Sequence, residues 1–296
     1  MSHNSPTVSV IIPTFNSSGT LRLSLETVLR QDFTDLEVWV VGDGCTDDSA
    51  AVVESFSDSR VHWINLPVNS GTPSKPRDKA LRHATGRLIA YLGHDDLWFP
   101  WHLTELVECI DKTGADLVYS MCVSVAPTGA RNVLTLPDKP WDPRQGISPS
   151  NWLHRRELSD RVGGWSSGVK LGDDRAFLAR ACAANARLEF RRQVSALKFP
   201  AAEWRMYEHT SNLPQTSYME AMRRDAAQLR LDLLLDLAQV TSPQANPLSP
   251  NALPLPAPLR GLIEWSFDRY GRQRWPVNDF LYWRWRRGAG LGGKKR

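Results

Sequence analysis

The sequence predicts an α/β protein, a mostly parallel sheet with helices on its flanks. Three observations carry this. Short runs of apolar and β-branched residues recur through the first half of the chain. Helical, amphipathic stretches separate them at the spacing of strand–helix–strand units, which build parallel sheets with right-handed crossovers. Polar turns bearing acids follow the strands directly, at the sheet edge where open α/β folds bind ligands.

Taken in order, Val8 to Pro13 reads as the first strand, stopped by proline, and Thr14 to Gly19 as a polar turn. Thr20 to Arg30 is helical, with Leu21, Leu25, Val28 and Leu29 on one face. Leu36 to Val41 is the second strand and runs into the turn Gly42-Asp43-Gly44-Cys45-Thr46-Asp47, whose Thr46 or Asp47 can cap a helix over Ser49 to Phe56. Val61 to Ile64 is a third strand. Lys75 to Ala84 is helical, its start delayed by Pro73 and Pro76. Leu88 to Leu92 is a buried strand ending in Gly93-His94-Asp95-Asp96, followed by a helix from Pro100 to Lys112 and a strand from Asp116 to Met121.

From Ala126 to Pro149, seven prolines and glycines break any long element. Asn151 to Ser159 reads as a short helix, or as a strand and turn. Gly163-Gly164-Trp165 is a turn, Asp173-Asp174 opens a helix to Ala184, and Arg187 to Phe190 and Val194 to Lys198 are strands. Thr216 to Val240 is the strongest helical pattern, with Met219, Met222, Ala226, Leu229, Leu233 and Leu237 on a packing face. A proline-rich strap over 242–258 leads to a helical, aromatic and basic tail. The expected division is therefore 1–125, 126–240 and 241–296.

The bulk numbers exclude several classes. At 296 residues the chain can bury a full core, and a formal charge of +4 does not by itself imply nucleic acid. The four cysteines have no metal or redox spacing, which suits reduced thiols in a cytoplasmic setting. No signal-peptide pattern and no apolar run long enough to span a membrane is expected. No Gly-x-Gly-x-x-Gly or Walker-type loop is present, which argues against dinucleotide enzymes and P-loop ATPases.

The chemistry gathers at the strand ends. Pro13-Thr14, Asp43 and Asp95-Asp96 converge on one edge of a parallel sheet. Asp43 can accept from a base or from ribose hydroxyls, or it can simply fix its own turn. Arg77 can neutralise phosphate, or it can be a solvated helix charge. Asp95 and Asp96 can share a hard divalent ion with substrate phosphates, or they can cap the next helix.

The ordered set of segments resembles the family 2 glycosyltransferases, which have the GT-A fold. Val8 to Asn16 looks like their opening strand, and Val41 to Asp47 resembles their Asp-Asp-Gly-Ser-x-Asp turn. Asn69-x-Gly71 through Arg77 is similar to their Asn-x-Gly…Arg-Asn segment, and Leu92 to Asp96 to their metal-binding Asp-x-Asp region. Gly163-Gly164-Trp165 and Asp173-Asp174-Arg175 resemble the Gly-Gly-Phe turn and the later Glu-Asp motif. The resemblance covers Val8 to Ala184.

It implies an inverting transfer from a nucleoside diphosphate sugar, a UDP-sugar first, to a hydroxyl of a glycan, lipid-linked or other acceptor. Pro13, Thr14, Phe15, Asp43, Arg77 and Asp95 are then nucleotide-sugar-binding residues. Asp96 binds Mn²⁺ or Mg²⁺, and Asp174 is the general base, with Asp173 as the alternative. Both acids also suit the first turn of a helix. Five positions depart from the family pattern: Gly42, Cys45, Asp78, Gly93 and Asp173 stand for an acid, a serine, an asparagine, an acid and a glutamate. Trp98, Trp165 and Asp173 are the candidate acceptor contacts, because indole faces stack on sugars. The tail, with Trp275, Trp283, Trp285 and Arg284, Arg286 and Arg287, suits a membrane surface, a self-docking segment or an oligomer contact. No nucleic-acid partner is expected. The competing class is a non-catalytic nucleotide-sugar or glycan binding module on the same fold.

Overall fold

The computed structural model describes residues 5–126, 129–134, 147–165, 172–200 and 213–240. The proline-rich strap and the basic tail lie outside them. In chain order the elements are β1 (Val8–Thr14), α1 (Ser18–Leu29), β2 (Leu36–Gly42), α2 (Ser49–Glu54), β3 (Val61–Asn65) and α3 (Ser74–Leu81). Then come β4 (Leu88–Tyr91), β5 (Leu97–Trp98), α4 (His102–Thr113), β6 (Leu117–Ala126) and β7 (Gly129–Leu134). A 3-10 turn (Pro149–Asn151) precedes β8 (Trp152–Arg155), α5 (Arg156–Val162), α6 (Asp173–Ala183), β9 (Leu188–Lys198) and α7 (Pro214–Val240).

The strands form one sheet in the order β3-β2-β1-β4-β8-β6-β9-β5, with β7 also on β6. From β3 to β4 every pairing is parallel. The chain leaves β1 toward β2 and β3 on one side and returns to place β4 on the other, so the topological switch point lies between β1 and β4. Beyond β4 the sheet is mixed. β8 is antiparallel to both β4 and β6, and β9 is parallel to β6. By this chain of pairings β6 and β9 run in the same direction as β4, and their carboxyl ends share its edge.

Alternation along the buried strands sorts side chains between the two faces. Val8, Val10 and Ile12 of β1 with Leu88, Ala90 and Leu92 pack on α1 and α4. Ile11, Ile89 and Tyr91 pack on the opposite face, with Ala80 of α3, Leu158 of α5 and Phe177 of α6. A third cluster joins β6, β7 and β9 to α7 through Met219, Met222, Leu229, Leu233, Leu234 and Leu237.

The stretch 151–159 resolves into a strand followed by a helix. The two strands expected over 187–198 are one strand, β9. Its charged middle reads as a break in the sequence, and the ladder to β6 does shift register there, between Phe190 and Val194, but the strand continues through it, with Arg191 reaching Glu105 of α4. α7 is bent at Asp225, whose backbone leaves the helical region with φ −160° and ψ 99°. β6 spans residue 125, where its ladder to β7 shifts register, and β8, from beyond that point, pairs with both β4 and β6. Among the described residues no helix is long and apolar enough to cross a membrane.

Candidate active site at the strand ends

The loops that follow β1 and β2 are tied to each other. Thr14 O accepts the Asp43 N–H at 2.8 Å, and Asn16 Oδ1 accepts the Thr46 N–H at 2.8 Å. Asp47 joins the starts of two helices by accepting from Ser18 N at 2.9 Å and Ser49 N at 3.1 Å. This frame leaves Phe15 at the surface, 41% exposed, and Pro13 and Thr14 buried behind it.

Asp43 is buried. Its Oδ2 accepts from both the backbone N–H and the hydroxyl of Ser70, each at 3.0 Å. Its Oδ1 and the Thr14 Oγ1 are buried without a hydrogen-bond partner. Buried polar atoms are nearly always satisfied, so two orphans at the adjoining carboxyl ends of β1 and β2 make this edge a candidate place for a ligand. The departure at position 42 is steric: a Cβ there would lie 2.5 Å from Asn65 Oδ1 and 2.8 Å from the Trp63 ring.

From Asp43 a polar chain runs along the edge. Ser70 reaches Thr72, Thr72 reaches Ser74, and Ser74 Oγ donates to Asp173 Oδ2 at 2.9 Å. Arg77 pairs with the same oxygen at 2.8 Å, and its guanidinium lies over the Trp165 ring, 4.2 Å from the centroid. Asp78, beside it on α3, accepts the Trp165 N–H at 2.7 Å. The acid that stands for the family asparagine thus clamps the Gly-Gly-Trp turn. Arg77 Nε, like the Ser148 hydroxyl, is a buried polar atom with no partner.

A cavity of about 350 Å³ opens here, lined by Arg77, Ser148, Pro149, Asp173, Asp174, Arg175 and Lys198. Both acids of α6 therefore face it, in unlike states. Asp173 is engaged by Ser74 and Arg77, whereas the Asp174 carboxylate accepts from the Arg175 N–H at 2.8 Å, a bond within its own turn of helix. Asp174 is thus the acid left open to the cavity, and Asp173 is the one that orients Arg77.

The turn after β4 is more closed. His94 Nδ1 meets Pro13 O at 3.3 Å, and Asp95 is half-buried, its carbonyl accepting from Gln215 of α7 at 2.9 Å. Asp96 is fully buried. Its Oδ2 accepts from Ser150 Oγ at 2.5 Å and from Lys198 Nζ at 3.1 Å, while Oδ1 accepts the Phe199 N–H at 3.2 Å and lies 3.5 Å from the same ammonium. Burial pulls the Lys198 ammonium toward neutrality, but the carboxylates of Asp96 and Asp95 outweigh it and hold the group above the ordinary lysine range. Both carboxylates fold back over residue 93. A Cβ there would sit 2.9 Å from Asp95 Oδ1 and 2.9 Å from Asp96 Oδ2, which is why the family's leading acid is a glycine here.

A carboxylate offers about four acceptor positions. Those of Asp96 are met by Ser150, Phe199 and the two approaches of Lys198. The ammonium also repels a second cation at that carboxylate. The donor set therefore does not fit a divalent ion held by Asp96. Among the described residues no group of three or more His, Cys, Asp or Glu side chains comes together as a metal site.

The expected tryptophan contacts also change meaning. Trp98 and Trp165 are both completely buried. Trp98 donates its indole N–H to Ser150 O at 2.6 Å and stacks on His102, and Trp165 packs among Tyr91, Trp152 and Phe177. Neither offers a free face to a sugar; they are supports for the acidic turn and for Arg77. Lys198, Ser70, Ser74 and Ser150 are site residues that the sequence motifs do not flag. Lys198 ends the buried run from Val194 to Leu197 just as Asp95-Asp96 follow one, so the strand-end rule finds it once it is applied to cations.

The chain is similar in fold to Staphylococcus aureus TarS 1–349, solved with UDP-GlcNAc, at TM-score 0.56 and 21% identity over 79% of this chain and 70% of that one. It is similar in the same way to the mannosyltransferase PcManGT of Pyrobaculum calidifontis, solved with GDP-Man and Mn²⁺, at TM-score 0.53 and 19% identity over 99% and 77%. In sequence it is 32% identical over 112 residues to the Escherichia coli UDP-Glc:alpha-D-GlcNAc-diphosphoundecaprenol beta-1,3-glucosyltransferase WfgD, covering 38% of this chain and 44% of the relative. The chain thus spans less than half the length of that curated relative. The family model of Glycosyl transferase family 2 matches residues 9–182, more than half of the 296, so the chain belongs to that family.

Proposed function

We propose that this protein transfers a glycosyl group from a UDP-sugar to a hydroxyl of a glycan or lipid-linked acceptor, with inversion at the anomeric carbon. The observation that carries the reading is the pairing of an open acid, Asp174, with Arg77 and Lys198 around one cavity beside the switch point. The uridine end follows from Asp43, whose free Oδ1 can accept an imide N–H, and from the UDP-sugars named for WfgD and TarS. The undecaprenyl-linked acceptor in the name of WfgD supports a lipid-linked acceptor here too, for which the basic aromatic tail would be a membrane contact.

In the proposed reaction the Asp174 carboxylate takes the proton of the acceptor hydroxyl. The oxygen attacks the anomeric carbon from the face opposite the diphosphate. One carbon–oxygen bond forms as the bond to the diphosphate oxygen breaks, and the electron pair leaves on UDP. A single displacement needs no second carboxylate as nucleophile. Arg77, fixed by Asp173 and Trp165, meets the departing phosphates. The acidic turn supplies no step through an ion on Asp96.

Asp174→Asn keeps size and hydrogen bonding but removes the base. UDP release from UDP-glucose or UDP-GlcNAc should fall about 10²- to 10⁴-fold while UDP affinity stays unchanged. A variant that turns over donor like the wild type would sink the assignment of the base. A wild type that binds UDP but shows no turnover with any glycan or lipid-linked acceptor would favour the binding-module reading.

A further inference from the structure

Lys198 sits where the donor-site reading needs positive charge. It closes β9, whose carboxyl end shares the edge with β1 and β4. Its ammonium rests on Asp96, yet a third of the side chain stays exposed, 33%, and it lines the cavity with Arg77, Arg175 and Asp174. The carboxylate beneath it is engaged by Ser150, Phe199 and Lys198 itself, whose ammonium approaches both of its oxygens. Gly93 keeps this arrangement possible by leaving room for both carboxylates. Asp96 is thus a counter-ion that anchors a fixed cation at the cavity wall.

Resting on the proposed donor site, we propose that Lys198 itself, held by Asp96, neutralises the leaving diphosphate, so that this chain binds and releases UDP without a divalent metal. A lysine is a compact point charge with rotatable donors, suited to phosphate oxygens that gain charge as the glycosyl bond breaks. Its ammonium has one face on Asp96 and can turn remaining N–H donors to the cavity. Asp96 incurs no new desolvation when UDP arrives, because it is already paired and buried. Asp95 and Asp96 would then act only by positioning the lysine, and the site would differ in kind from that of the relative solved with Mn²⁺.

The test is calorimetric titration of the full chain with UDP in EDTA and again in Mn²⁺, on wild type, Lys198→Met and Lys198→Arg. Uridine, which lacks phosphate, is followed by ligand-observed NMR as the control for an intact base site. Wild type should bind UDP in EDTA, and Mn²⁺ should change the affinity by less than about threefold. Lys198→Met should weaken UDP about tenfold or more and leave uridine unaffected, and Lys198→Arg should recover most of the loss. If UDP binds wild type at least about tenfold more tightly with Mn²⁺ than in EDTA, the inference is overturned while the donor site stands. It is overturned equally if Lys198→Met binds both ligands like wild type. If Lys198→Met also loses uridine, its fold has failed and the wild-type comparison in EDTA and Mn²⁺ decides. If wild type binds neither UDP nor uridine in either buffer, the donor-site reading falls and this inference falls with it.

Discussion

Asp43 divides its oxygens between two tasks. Oδ2 is held by the Ser70 backbone and hydroxyl, each at 3.0 Å, while Oδ1 is buried and meets nothing in the protein. In Asp43→Asn, an amide that keeps its oxygen toward Ser70 turns an N–H donor to the open position. A uracil imide, also a donor, is then opposed, whereas the acceptor N3 of cytosine is met. UDP affinity should drop about 10- to 100-fold, the cost of about 1–3 kcal/mol for one buried donor facing another, and the preference for UDP over CDP should narrow or invert. Equal UDP and CDP titrations in wild type and variant would show that Asp43 only fixes its turn. The same division explains Asp173 and Asp174, adjacent in sequence yet unlike in role. Asp173 is engaged by Arg77 and Ser74, and Asp174 is left facing the cavity.

At the scale of elements, the turn after β4 is governed by what it can pack. The Gly93 N–H donates to Ser150 Oγ at 3.1 Å, and the same hydroxyl donates to Asp96, so the turn is held tightly against the 3-10 segment before β8. Gly93→Ala would push a methyl to within 2.9 Å of two carboxylate oxygens. We expect a cost of about 1–3 kcal/mol, read as a fall of several degrees in Tm, and a larger fall for Gly93→Asp, which adds a third like charge. A melting temperature unchanged in both variants would mean the turn relaxes freely. The elements themselves were legible where periodicity is strong. β1 to β4 and their helices alternate between two buried faces, and each begins within a few residues of its expected start. The strand-end acids were legible too, because a parallel sheet converts sequence position into spatial position. The Lys198–Asp96 pair was not, since it joins residues 102 apart through strands whose pairing sequence alone does not give. Nor was the burial of Trp98 and Trp165, because a tryptophan beside an acidic motif has the same sequence signature whether it stacks on a sugar or supports the motif from below.

Over the whole molecule, one sheet couples the β1–β4 half to the half that carries α6 and α7, and two histidines lie buried along that junction. His102 stacks on Trp98 with Nδ1 2.8 Å from Ser195 Oγ, and His154 of β8 lies 3.0 Å from the Tyr91 hydroxyl through Nε2 and 2.7 Å from Arg155 O through Nδ1. A carbonyl only accepts, so Nδ1 of His154 carries the proton and Nε2 accepts from Tyr91. Burial pushes His102 down to about 3 and His154 down to about 4. Both are therefore neutral in the folded protein, while in the unfolded chain each titrates near an ordinary value of about 6.5. Depressed folded values mean that their contribution is fully present above the unfolded pKa and is lost as pH falls, beginning near 6.5 and continuing down toward the folded values. By pH 5 the unfolded state has gained both protons and the folded state neither, which removes about 2 kcal/mol per histidine. The two histidines together should thus take about 4 kcal/mol from the stability measured by urea unfolding between pH 7 and pH 5, offset in part by Asp96 and Asp236, whose carboxyls burial pushes up. Carboxylates with ordinary or lowered values act mainly below that window. His102→Asn with His154→Gln, less stable at pH 7, should show most of this slope abolished. A slope no different between wild type and this double variant would mean that both rings are already protonated in the fold, and that the junction of the two halves holds charge where the structure places neutral imidazoles.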